Sequence, residues 1–208
     1  MKNSPLNSRT AVIYMQQNII CRPLRSEDDR GQVARLVYET DEYIFPYLYD
    51  NNILAAEKVI SKMILRNTVY HYKNISVALE EDKIAGIIVS LPTPIKTDPA
   101  EMERSFSEAG VIAGDRFTRV YNEYYKLMED EPDGIYIANV CVDSRYRRRG
   151  IAKALLEYFL SDHEVYRLDI VRANVGALQL YQQFGFEIED SYIGFPDVPC
   201  YRMKRPAK

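Results

Sequence analysis

The chain has 208 residues, long enough to bury one sizeable core, and its 47% hydrophobic and 27% charged residues are those of an ordinary globular protein, not of a low-complexity chain. A formal net charge of -3 argues against general affinity for nucleic acid, which favours a basic surface. No apolar run reaches the length of a membrane span, and the widely spaced Cys21, Cys141 and Cys200 with His71 and His163 outline neither a disulfide framework nor a metal cluster.

In chain order, residues 1–17 are polar and read as a frayed tail, with residues 18–208 as a single domain. Ala11–Met15 is too brief for a signal-sequence core and no small-residue cleavage pattern follows, so the cytoplasm is the expected compartment. Asn18–Arg25 reads as a first strand, with Pro23 placing it at an edge or ending it. Ser26 is the predicted cap of a helix whose first turn holds Glu27, Asp28 and Asp29 and whose buried side holds Val33, Leu36 and Val37. A second helix spans about Ile53–Leu65, and strands Asn74–Leu79 and Ile84–Ser90 flank the polar turn Glu80-Glu81-Asp82-Lys83 as a hairpin.

Residues 94–133 leave this alternation. Pro92, Pro94 and Pro99 break the chain, and Phe117–Met128 reads as a helix carrying Val120, Tyr121, Tyr124 and Tyr125. Forty residues is long for a bare loop, so a small helical insert is expected. It is acidic, with Glu129, Asp130 and Glu131 at its end, and is either a wall over a cationic acceptor or a solvated acidic face.

The segments that carry chemistry follow. Strand Gly134–Val142 leads into Arg147-Arg148-Arg149-Gly150-Ile151-Ala152 and then an amphipathic helix over about Ile151–Leu160. Gly150 permits close backbone approach, and the first amides of a helix lack intrahelical partners, so a phosphate or pyrophosphate fits there. The P-loop lysine and hydroxyl are absent, as are the three glycines of a dinucleotide fingerprint. Taken alone, the hexapeptide is equally an ordinary strand-to-helix turn with solvated arginines. After a further strand, Arg167–Val171, comes Asn174–Phe186 (NVGALQLYQQFGF): Asn174 is a predicted helix cap, and Gly185 ends the helix. Tyr181 in isolation reads first as an aromatic on the helix's buried side. Two strand-like runs, Glu187–Gly194 and Val198–Lys204, close the chain.

Together the two blocks resemble the GNAT superfamily of N-acetyltransferases. Arg147, Gly150 and Ala152 match its cofactor motif, while Asn174, Ala177, Leu180-Tyr181 and Gly185-Phe186 match its later motif. Val142 stands in the family's usual place at the end of the preceding strand. The resemblance runs from about Ile135 to Phe186 and implies an α/β fold. That fold is a mixed, mostly antiparallel twisted sheet of about six to seven strands flanked by helices, with the helical insert before the central strand.

What the resemblance implies chemically is transfer of acetyl from acetyl-coenzyme A, as co-substrate and without a metal, to a primary amine on a small molecule or peptide. The amides of Arg148, Arg149, Gly150, Ile151 and Ala152 would cradle the pyrophosphate, with charge from Arg147 and Arg149. Val140 and Val142 would pair with the pantetheine arm as if it were an added strand, and Asn174 would touch its far end. The Val142 N–H would donate to the developing oxyanion and Tyr181 to the leaving thiolate. Family members that use a strand carboxylate carry it six residues before the valine; here that residue is Tyr136, and alternation places Tyr136, Ala138, Val140 and Val142 on one face without an acid. A water relay or an acid of the insert remains open as the base. A non-catalytic module that holds acetyl-coenzyme A, and a basic patch formed by Arg145 and Arg147–Arg149, are the alternatives from other classes. No nucleic-acid or membrane partner is expected, and both a monomer and a homodimer paired through the final strands are compatible with the pattern.

Overall fold

The apolar runs that read as strands all enter one sheet. The computed structural model describes residues 14–16, 18–95, 98–129 and 132–208, and their side chains except in 14–16 and 124–129. In order the elements are β1 (Tyr14–Gln16), β2 (Ile19–Pro23), α1 (Arg30–Glu39), α2 (Ile44–Leu48), α3 (Ile53–Met63), β3 (Ile75–Glu80), β4 (Lys83–Thr93), α4 (Pro99–Ala109) and α5 (Asp115–Glu129). There follow β5 (Gly134–Val142), α6 (Ile151–Phe159), β6 (Tyr166–Val171), α7 (Val175–Gln183), β7 (Glu187–Gly194) and β8 (Val198–Arg205). The strands lie in the order β1-β2-β3-β4-β5-β6-β8-β7. Among these described strands only β5 and β6 run parallel; every other neighbouring pair is antiparallel. This is the expected mixed sheet of seven strands, extended by the three-residue β1, which lies in the stretch read as a tail.

Each face of the sheet carries helices because each helix has one apolar stripe. Val33, Leu36 and Val37 of α1 and Val59, Ile60 and Met63 of α3 cover Val77, Ile87 and Val89. On the other face Ile151, Leu155 and Phe159 of α6 cover Cys21, Ala78, Ile88 and Leu168. Gly86 makes the second contact possible: a Cβ there would lie 2.8 Å from Ile151 and 2.9 Å from the Cys141 carbonyl. Its absence lets the first turn of α6 rest directly on β4.

Several local expectations change in the structure. Asp29, not Ser26, caps α1, accepting from Gln32 N–H at 3.0 Å. Asp28 is instead drawn out of the helix by Arg22, with bonds of 2.7 and 2.8 Å. Pro23 ends β2, whose outer side is covered by β1. Pro92 does not break β4, which continues past it and pairs Pro92 with Ile135. The insert holds two helices where one was predicted. Pro99 stands in the first turn of α4, where a missing N–H costs nothing, behind the Asp98 cap.

The insert packs as a lobe on α2 and α3. Phe106 and Phe117 lie 4.6 Å apart between ring centres, with Tyr49 5.6 Å from Phe117. Arg116 donates to the Tyr47 carbonyl at 3.1 Å and to Asp50 at 2.6 Å. Two of its acids, Glu101 and Glu108, are taken by Arg66. The side chains of Tyr124, Tyr125 and Glu129, and residues Asp130 and Glu131, lie outside the described residues, and the expectation of an acidic wall rests on them.

Candidate active site

The strands β5 and β6 part almost as soon as they meet. Their register pairs only Ile135 with Tyr166 and Tyr136 with Arg167, while β5 stays paired to β4 up to Val142. Beyond Arg167, β6 is held by β8 alone, over its full length. The rest of β5 therefore presents an unpaired main-chain edge. The Asp143 N–H turns back to Ala85 at 3.0 Å, so the Val142 N–H and carbonyl face the opposite way, into the opening.

A bulge decides which residues share that opening. The β4–β5 register shifts between Val89 and Ser90, leaving one extra residue in β5 at Ala138. Strict alternation placed Tyr136, Ala138, Val140 and Val142 on one face, and the bulge corrects this. Val140 and Val142 pack with the α6 cluster, whereas Tyr136 and Ala138 pack on the other face.

The turn after β5 is fixed by a buried carboxylate. Asp143 accepts from the Arg145 main chain at 2.9 Å, from its guanidinium at 2.6 Å and from the Gln32 amide at 2.8 Å. The Arg145 guanidinium holds this carboxyl well below the usual carboxylate range. Arg148 and Gly150 take left-handed conformations, with φ of 64 and 83 degrees. Gly150 caps α6 with no side-chain acceptor, and Ala154 N–H is the donor to its carbonyl, so the preceding amides of the first turn have no intrahelical acceptor. A Cβ on Gly150 would meet nothing within 4 Å, so it is the left-handed conformation, and not crowding, that favours glycine there.

The remaining predicted residues divide by role. Ile151 is buried in the core and offers only its backbone, while Arg147 and Arg149 are exposed. Arg149 pairs with Glu80 at 3.2 Å, and Arg147 Nε donates to the Val142 carbonyl at 3.3 Å. Asn174 caps α7, its side chain accepting from Ala177 N–H at 3.2 Å. Tyr181, 8% exposed, belongs to the same cluster as Ile151 and packs edge-on against Phe186 at 5.6 Å. Burial pushes its phenol above the ordinary value, so the group stays a neutral donor at pH 7.

The other face of the opening carries a pair that the sequence reading missed. Tyr136 O–H donates to Asp169 Oδ2 at 2.9 Å, and Arg202 holds Asp169 with bonds of 3.1 and 3.2 Å. Further along β5 Asn139 is buried, and among the described residues its Oδ1 has no hydrogen-bond partner. The available signal was an acid set between Leu168 and Ile170 in an otherwise apolar strand, whereas the expected place for a strand base was β5. Val171, two residues on, lines a cleft of about 600 Å³ with Tyr43, Arg172, Asp197 and Pro199.

The acetyltransferase (GNAT) domain family matches residues 71–188, more than half of the chain. Among curated protein sequences none matches significantly. An N-acetyltransferase from Staphylococcus aureus Mu50 superposes with a TM-score of 0.63 at 23% identity, covering 89% of this chain and 99% of that one. The NatC complex bound to Gag peptide and CoA gives 0.56 at 16%, covering 92% and 99%. An agmatine N-acetyltransferase, as a mutant in its apo form, also gives 0.56 at 16%, covering 89% and 98%. At these identities the superpositions speak for the fold. With the domain match across the α3–β3 turn, both strands of the opening and the two helices beside it, the chain belongs to the GNAT acetyltransferase family.

Proposed function

We propose that the protein moves an acetyl group from acetyl-coenzyme A to a primary amine by direct attack within a ternary complex. The observation that carries this reading is the opening between β5 and β6. An unpaired strand edge is flanked on one face by an uncapped helix start and a buried phenol, and on the other by the Tyr136–Asp169 pair.

Each residue then has a task its geometry allows. The amides of Arg148–Ala152 hold the diphosphate, as helix starts do for anions. Val140 and Val142 take the pantetheine arm as an added strand, and the Val142 N–H faces the place where the oxyanion develops. Asn174 has committed its oxygen to α7, which leaves its NH₂ group for the arm. Tyr181 donates to the departing thiolate. Burial holds that phenol above its ordinary value, so Tyr181 acts by donating a hydrogen bond to the thiolate and not by giving up its proton outright.

The acceptor approaches from the opposite face. A free alkyl ammonium at neutral pH must lose a proton, a penalty of roughly 4 to 5 kcal/mol. Tyr136 orients it: the hydroxyl oxygen, whose own proton is donated to Asp169, accepts a hydrogen bond from the ammonium, and the ammonium proton is lost through water. Similar folds are named for an agmatine acetyltransferase and for a complex holding a peptide, so small amines and peptide amino groups both remain within the reading.

Calorimetry with acetyl-coenzyme A, followed by a thiol-release assay over a panel of amines and peptides, tests the proposal. Binding with amine-dependent thiol release is expected. Binding with no release on any acceptor would make the protein a holding module, and no binding at all would remove the site.

A further inference from the structure

The bulge at Ala138 moves a polar side chain onto the acceptor side of β5. Asn139 lies opposite Val89 and Tyr136 opposite Leu91, and the extra residue is taken up on β5 between them. Alternate residues of β4 share a face, so Asn139 and Tyr136 share one too, although they stand three apart in the chain. Cys141, opposite Ile87, continues that face into the cluster of α1 and α3. Asn139 also belongs to the stretch of β5 that β6 leaves unpaired. It is 6% exposed, and among the described residues its Oδ1 has no hydrogen-bond partner. A buried amide oxygen left unpaired is a standing loss, because water has been removed and nothing replaces it.

We propose that Asn139 binds the acceptor nitrogen and makes the site selective for primary over secondary amines. This rests on the reading of the opening as an acetyl-transfer site. The Tyr136 hydroxyl and Asn139 Oδ1 are two hydrogen-bond acceptors on one face, on positions roughly 6–7 Å apart along the strand. An alkyl ammonium offers three N–H groups. One goes to each oxygen, and the third is the proton lost through water. The neutral amine is then held by both of its N–H groups, with its lone pair free to attack the thioester carbonyl. A secondary amine has one N–H fewer, so once deprotonated it leaves one of the two oxygens unpaired again. It is disfavoured by an unsatisfied buried group, and not by size alone.

The test uses the full chain and thiol release at saturating acetyl-coenzyme A, with butylamine and glycinamide as probes beside their N-methyl derivatives. The natural protein should favour the primary amine of a pair about tenfold or more in kcat/KM. Asn139→Leu, of similar volume and without polar atoms, should raise the KM of the primary amine about fivefold to tenfold, with a smaller change in kcat. It should bring the ratio within a pair down to about twofold and leave the acetyl-coenzyme A Kd unchanged. Because it removes an unpaired buried oxygen, it should also raise the unfolding temperature by about 2–4 °C, the opposite of losing a structural residue. Asn139→Asp keeps an oxygen at the same point and should retain the preference. Equal use of both amines by the natural protein, an unaltered preference in Asn139→Leu, or a lower unfolding temperature for that variant would each overturn the inference. If the natural protein binds no acetyl-coenzyme A, or releases thiol with none of the four amines, the site reading itself has failed and takes the inference with it.

Discussion

The two strand-to-helix junctions beside the opening share an order of elements and treat the start of the helix in opposite ways. At β6–α7 Asn174 satisfies the first turn with its own side chain, at 3.2 Å to Ala177 N–H. At β5–α6 Gly150 supplies no side-chain acceptor, and the amides ahead of Ala154 have no intrahelical partner. Glycine as a cap costs only about a few tenths of a kcal/mol relative to Asn, so the second arrangement is a small local loss that an anion at the helix start would offset. One junction is capped by its own side chain, and the other is left uncapped. The capped one carries Tyr181 two turns along, on a helix whose start does not depend on what is bound.

If that division of labour holds, substitutions at the two junctions should separate chemistry from binding. Tyr181→Phe should lower kcat about 10²-fold or more with little change in the acetyl-coenzyme A Kd. Full turnover would give the thiolate to another donor. Gly150→Val should raise that Kd at least about tenfold and destabilise the fold by about 1–2 kcal/mol, because φ of 83 degrees disfavours a branched side chain. An unchanged Kd would move the diphosphate elsewhere.

Asn174 allows a finer cut. Asn174→Ala should cost about 1 kcal/mol in chemical unfolding, whereas Asn174→Asp should keep the cap, and hence stability, while losing the NH₂ donor and raising the Kd a few-fold. Stability lost equally in both would show that the cap geometry does not matter. The smallest effect concerns acid. Asp143 has its folded pKa lowered by Arg145, so its contribution is full above the ordinary aspartate value of about 3.9 and is lost as pH falls through the lower folded value. Asp143→Asn should flatten the acid limb of a stability–pH curve, and an identical limb would assign it to other groups such as Asp28.

The junctions were legible because their signals are local. Gly150, the Asn174 cap and Tyr181 at helical spacing lie within a few residues of the structure they create. Pro99 was local too, yet ambiguous: a proline breaks a helix from inside and starts one at its first turn, and only the Asp98 cap separates the two readings. The Tyr136–Asp169 bond joins positions on two strands and has no sequence spacing of its own. The bulge at Ala138 escaped for the same reason, since register is a property of a pair of strands.

The sequence by itself determined most of the strands and helices, the strand-turn-helix order around Gly150 and the family resemblance, because turns, capping and amphipathic period are set by near neighbours. Only the tertiary structure decided that β5 and β6 part after two paired residues, which face each β5 side chain takes, and that an aspartate on β6 meets the hydroxyl of Tyr136, the residue at the β5 position where a carboxylate was sought. Those depend on which edge β8 claims and on one extra residue against β4, contacts that exist once the sheet is assembled.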